Sequence, residues 1–175
     1  MRKLMPRSQW RKLREALLDR HGLRCAICGA EAEESRTLNA HEEWVYDEAS
    51  DPATARLTGV TLICWHCHHV EHWGVTKTLV AQGNLTQRAI DDTIAHFCRL
   101  NKATKKAFEA HEKQATKEWE RRSQRKWRID YGPFLPWVAA TYEGDPLNSE
   151  PWSPELNRRW ADAPIPSMIE IVCRL

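Results

Sequence analysis

Two Cys-x-x-Cys pairs, Cys25/Cys28 and Cys64/Cys67, constrain this chain more than any other feature. Each pair can fold as a knuckle with both sulfurs turned the same way, and two knuckles present four thiolates to one tetrahedral zinc. The 35 residues between the pairs must then hold a small structure whose ends meet. The second pair runs into a histidine cluster, Cys64-Trp65-His66-Cys67-His68-His69-Val70-Glu71-His72. Six cysteines in a secreted chain would suggest disulfides. Paired knuckle spacing beside clustered histidine is a metal pattern instead, suited to a reducing compartment, so a cytoplasmic location is expected. Cys98 and Cys173 stand alone and read as small buried hydrophobes.

The span between the knuckles reads as two strands. Over residues 37–46 a period of two puts Leu38, Ala40, Glu42, Trp44 and Tyr46 on one face and Asn39, His41, Glu43 and Val45 on the other. The first set is mostly apolar and is expected to pack inward, which aims His41 away from that core. Asp47 to Ala55, with Pro52, is a polar turn, and Arg56 to Ile63 is the return strand. Cys64-Trp65-His66-Cys67 then opens a helix, on which His68 and His72 lie four apart and share a face. Strand, strand and histidine-bearing helix make a ββα-metal layout.

That layout resembles the HNH endonuclease family, in its subgroup braced by a four-cysteine zinc site. Cys25, Cys28, His41, Cys64, Cys67, His68 and His72 carry the likeness. Small bacterial HNH proteins are similar in their His-Glu-x-Trp-x-Tyr-Asp strand, here His41-Glu42-Glu43-Trp44-Val45-Tyr46-Asp47. They also share a Trp-x-x-Arg-Ser run, here Trp119 to Trp127, followed by Asp130. The resemblance covers residues 8 to 131 and departs from the family at two places. Ala40 stands where many relatives carry a metal-binding aspartate or histidine, and residues 57–62 lack the asparagine that orients the base.

The resemblance implies a metal-dependent nuclease hydrolysing DNA phosphodiester bonds by double-strand cleavage or nicking. In such a site His41 is the general base, a role that suits imidazole, whose reference pKa near 6.5 permits proton transfer around neutrality. His68 and His72 hold a catalytic divalent metal (Mg²⁺, Mn²⁺, Ni²⁺ or Zn²⁺), which neutralises charge developing on the phosphate. A structural Zn²⁺ sits on Cys25, Cys28, Cys64 and Cys67. Other assignments stay open. His69 can share a face with His72, His66 can serve as an outer partner, and His41 can itself be a ligand. In the last case Glu43 is preferred over Glu42 as the base. Two further readings are a zinc-stabilised nucleic-acid-binding module without cleavage, and a nuclease subunit of a larger defence or mobile-element complex.

Charge bears on the partner. The net charge of +2 conceals segregation: residues 1–24 hold eight Lys/Arg against two acids, and residues 99–128 hold eleven against four. Residues 29–55 carry one arginine against eight carboxylates. Two basic flanks suit a polyanion, and DNA is the expected partner, with Arg121, Arg122, Arg125 and Lys126 as contacts. No apolar run approaches a membrane span, and no apolar stretch follows the basic first residues as a secretory signal requires.

The expected fold is α+β: a small zinc-braced ββα-metal core with an N-terminal helix and a C-terminal helical extension. The divisions are an N-terminal helix in 1–22, the metal domain in 23–76, a basic helical extension in 77–131 and a proline-rich irregular tail in 132–175. Ser8 is expected to cap a first helix over Gln9 to Arg20 with a stripe of Trp10, Leu13, Leu17 and Leu18, ended by Gly22. A further helix starts at Thr86 with Ile90, Ile94 and Phe97 as its apolar face, and another runs from Thr104 to Trp127, placing Trp119 and Trp127 on one face. Trp44, Trp65 and Trp73 are expected in the core of the metal region.

Overall fold

The structure, a computed structural model, describes residues 7–135. Its elements in chain order are α1 (Arg7–His21), β1 (Leu38–Asp47), β2 (Thr54–Cys64), α2 (Trp65–Glu71), α3 (Trp73–Ala81), α4 (Gln87–Asn101), α5 (Lys105–Ser123) and β3 (Arg128–Asp130). The fold is α+β, a ββα-metal-like arrangement with helical extensions on both sides. Cys173 and residues 136–175 of the expected tail lie outside the described residues. Among those described, no helix is long and apolar enough to cross a membrane.

The three strands form one sheet in the order β1-β2-β3. The described residues divide into two compact units, and the division falls within β1 and within β2.

Among the described residues, the first unit comprises α1, Glu42–Thr61 and 126–135. Leu13 and Leu17 of the α1 stripe are buried, joining Ala55, Leu57, Val60 and Phe134 in its core, while Trp10 and Leu18 are half-buried. The helix begins at Arg7, so Ser8 lies inside it and does not cap it. Its end is as expected: Gly22 has φ +69° and donates its amide to the Leu18 carbonyl at 2.8 Å. Strand β3, absent from the expected elements, pairs parallel to β2 with Arg56 opposite Asp130, and the two side chains form an ion pair at 2.7 Å.

The alternation of β1 holds at Leu38, 2% exposed on the expected core face, and at Val45, 53% exposed on the other, but fails at two positions. Glu43, on the supposed outer face, is only 8% exposed, while Tyr46 on the supposed core face is 41% exposed. The reason lies on the neighbouring strand. A Cβ at Gly59 would stand 2.5 Å from Glu43 Oε2, so the missing side chain makes the space in which the carboxylate sits. Tyr46 packs its ring edge-on against Trp127, with centroids 5.2 Å apart.

The second unit comprises Leu23–His41 and Leu62–Arg125. Thr86 and Thr104 cap α4 and α5, accepting from the amides of Ala89 and Ala107 at 3.3 and 3.2 Å. Helix α4 packs on α2, α3 and α5. Its core-facing side chains are Thr93, His96 and Phe97, with Ile90 and Ile94 half-buried. Phe108 of α5 meets Phe97 and Trp73 edge-on, at centroid distances of 5.0 and 4.9 Å. Trp65 is 36% exposed and so is not a core residue. Helix α5 stops at Ser123, whose hydroxyl donates back to the Trp119 carbonyl at 2.7 Å. Trp127 therefore lies beyond the helix and shares no helical face with Trp119, which is 68% exposed.

Candidate metal centres

Both sets of candidate ligands lie in the second unit. The first knuckle is a tight hairpin in which the Cys25 amide donates to Ala30 O at 2.9 Å and the Gly29 amide to Cys25 O at 2.9 Å. Gly29 has φ +70°, a conformation that a residue with a Cβ rarely adopts. The Ala26 amide donates to Leu62 O at 2.9 Å, tying this knuckle to the end of β2, where the second begins. Cys64 is both the last residue of β2 and the N-cap of α2.

The four sulfurs converge. All Sγ atoms of Cys25, Cys28, Cys64 and Cys67 lie within 4.8 Å of one another, and those of Cys28 and Cys64 are 3.8 Å apart. Two ligands of one tetrahedral zinc, with Zn–S near 2.3 Å, stand about 3.8 Å apart, whereas a disulfide brings sulfurs to about 2 Å. The donor set and its spacing fit a four-thiolate zinc site. Cys25 and Cys67 are buried, and the Cys28 amide donates to Cys25 Sγ at 3.5 Å.

Such crowding resists full ionisation by the protein alone. Hydrogen bonds from Cys64 and Cys67 hold the Cys25 thiol far below its usual range. The Cys67 thiol is raised by its hydrogen bonds with Cys25 and Cys64, and burial pushes the Cys28 thiol up to about 11. Four thiolates together require a cation in their midst, and binding it must expel protons.

The second cluster is His41, His68 and His72, each with a ring nitrogen within 4.8 Å of the other two. The His72 ring centroid lies 5.0 Å from that of His41 and 4.6 Å from that of His68. His41 and His68 are half-buried and His72 is exposed, so the cluster opens to solvent on the His72 side. The helix carrying the pair is broken. His72, at φ −105° and ψ 40°, ends α2 and precedes α3, yet its amide still bonds the His68 carbonyl at 3.0 Å. One helical turn therefore keeps the two imidazoles adjacent. Buried Thr76 lies at this junction, its hydroxyl 2.9 Å from His69 O and 3.2 Å from His72 O.

His69 and His66 are engaged elsewhere. His69 Nδ1 lies 2.8 Å from Thr76 Oγ1, and its ring rests on Trp65 at a centroid distance of 4.0 Å. Burial, followed by His66 and His72, lowers the His69 pKa. His66 lies against Thr93 at 3.4 Å and stacks on His96, with centroids 5.2 Å apart and planes 19° from parallel. Glu43 occupies the Gly59 recess of the first unit. Arg121 and Arg122 belong to the last turn of α5, while Arg125 and Lys126 follow its end, so the four do not form one helical face.

His96 was not expected to matter. Its Nε2 lies 3.3 Å from Cys67 Sγ, and its Nδ1 lies 3.1 Å from an Arg99 guanidinium nitrogen. A histidine and an arginine three apart on a helix are the trace this leaves in the sequence, and nothing there points to Cys67. The chain is thus a zinc-binding ββα-type module with a separate three-histidine cluster. It matches no family model, and neither the curated proteins nor the solved structures contain a match to it.

Proposed function

We propose that this protein is a metal-dependent endonuclease of the HNH kind, acting on DNA. The observation that carries the reading is the convergence of His41 from a strand with His68 and His72 from a helix turn, beside a four-cysteine seam. His68 and His72 hold a divalent cation, which when bound supplies positive charge for the scissile phosphate and the leaving oxygen. His41, half-buried on its strand, accepts the proton of the attacking water. His72, exposed, keeps the cluster open to a large substrate. The basic excess of residues 99–128, eleven against four, supplies phosphate contacts through Arg121, Arg122, Arg125 and Lys126.

A second reading is a zinc-stabilised nucleic-acid-binding module that does not cleave. Ala40 beside His41 and the absence of asparagine from residues 57–62 favour it. Plasmid incubation with Mg²⁺, Mn²⁺, Ni²⁺ or Zn²⁺, with EDTA controls, separates the two. Metal-dependent nicking or linearisation that disappears in a His68→Ala variant supports the nuclease. DNA binding without turnover under any of the four cations supports the binding module.

A further inference from the structure

The chemistry of donors and acceptors fixes the state of His96. A guanidinium has only N–H donors and no acceptor. The Arg99 nitrogen 3.1 Å from His96 Nδ1 must therefore donate, and Nδ1 must present its lone pair. A neutral imidazole with an unprotonated Nδ1 carries its proton on Nε2. That nitrogen lies 3.3 Å from Cys67 Sγ, so its N–H points at the sulfur. Both partners are enclosed, with Cys67 3% and His96 8% exposed, so water competes little for this bond.

We propose that His96 and Arg99 form a donor relay serving the four-cysteine zinc site, in which Arg99 fixes the tautomer and His96 donates to the Cys67 thiolate. A zinc on four thiolates carries a net double negative charge, and the interior stabilises it only through donors aimed at sulfur. The Cys28 amide supplies one such donor to Cys25 at 3.5 Å. His96 supplies a side-chain donor to Cys67, and Arg99 places positive charge at the far end of the ring, strengthening the N–H···S bond. His96 is a positioning residue: it holds Cys67 in the orientation zinc needs and draws charge from its sulfur. The relay belongs to the zinc site and is independent of whether the histidine cluster cleaves DNA.

The test uses the full chain loaded with zinc or with cobalt(II), and no activity is measured. His96→Phe keeps a flat ring against His66 but removes the donor. Zinc transfer to a chromophoric chelator should show an affinity lower by about 10- to 100-fold, the usual cost of losing an outer-shell partner. In the cobalt-loaded protein the sulfur-to-metal charge-transfer band should move to longer wavelength, because the sulfur electrons are no longer stabilised by the N–H. His96→Gln, whose carboxamide can donate, should return both readouts toward the parent. Arg99→Met, at an exposed position, tests the relay if His96→Phe does not fold, and should shift both readouts in the same sense by less. Weakened zinc with an unmoved band would reduce His96 to packing and overturn the relay. So would an Arg99→Met protein matching the parent in both readouts.

Discussion

Cys28 Sγ and Cys64 Sγ, from knuckles 36 positions apart, stand 3.8 Å from each other, the edge of a zinc–sulfur tetrahedron. One zinc per chain is the expected stoichiometry by elemental analysis. Cys64→Ser should lose it and unfold the residue 25–75 region, because metal affinity in so small a unit is folding free energy. Cys98→Ser, outside the cluster, should keep both metal and fold. Folded, zinc-free parent protein would refute the assignment.

The three histidines should separate by role. His41→Ala is expected to cut cleavage by about 10²- to 10⁴-fold while leaving occupancy of the catalytic metal nearly intact. His68→Ala and His72→Ala should lose both, with the four-cysteine zinc retained. If His41→Ala weakens metal binding as much as His72→Ala does, His41 is a ligand, and Glu43→Gln becomes the variant to assay for the missing base.

DNA affinity should fall steeply with salt and depend little on sequence. Reversing Arg121, Arg122, Arg125 and Lys126 to glutamate should remove most of it and flatten the salt dependence, as read by fluorescence anisotropy. Unchanged affinity would assign this segment to another role.

Gly59 and Glu43 should be energetically coupled. Gly59→Ala places a methyl 2.5 Å from Glu43 Oε2 and should cost about 1–3 kcal/mol in denaturant unfolding. Glu43→Ala in the same chain should relieve much of that cost. Additive losses in the double variant would show that the recess is not what position 59 provides.

Lys77 of α3 and Glu112 of α5 form an ion pair at 2.6 Å. Burial raises the Glu112 carboxyl, but the hydrogen bond from Lys77 helps to outweigh it, and the net shift is below the ordinary 4.5. A carboxyl lowered on folding stabilises the fold above its unfolded value and ceases to do so as pH falls through the folded one. The parent should therefore exceed Glu112→Gln in stability at pH 6, by a margin that shrinks below pH 4.5. A margin constant across that window would mean the charge contributes nothing.

What the sequence disclosed follows the range of each interaction. The knuckles, the Gly22 stop and the helix starts near Thr86 and Thr104 are chemistry between residues a few positions apart, and they were legible. The burial of Glu43 was not, because it depends on the glycine across the sheet, and alternation along one strand cannot register its neighbour. Strand β3 is three residues, Arg128–Asp130, whose extension is fixed by pairing with β2 and by the Arg56 contact. Helix α5 was overextended because Arg125 and Lys126 have good helix propensity, and no tertiary contact visible in sequence marks the stop at Ser123. The role of His96 leaves no local trace, because its partner Cys67 is 29 positions away.

Cys64 ends a strand, caps a helix and lends its sulfur to the first cluster, and four residues later that helix brings in His68. Chelators strong enough to strip the cysteines should also misalign the histidines, so under the proposed nuclease function any loss of cleavage in EDTA should report on two ions together. Reconstitution of stripped protein should accordingly lag at low metal and rise only once the cysteines are filled. A cation too hard for sulfur, added alone, should restore nothing until a trace of zinc is supplied with it.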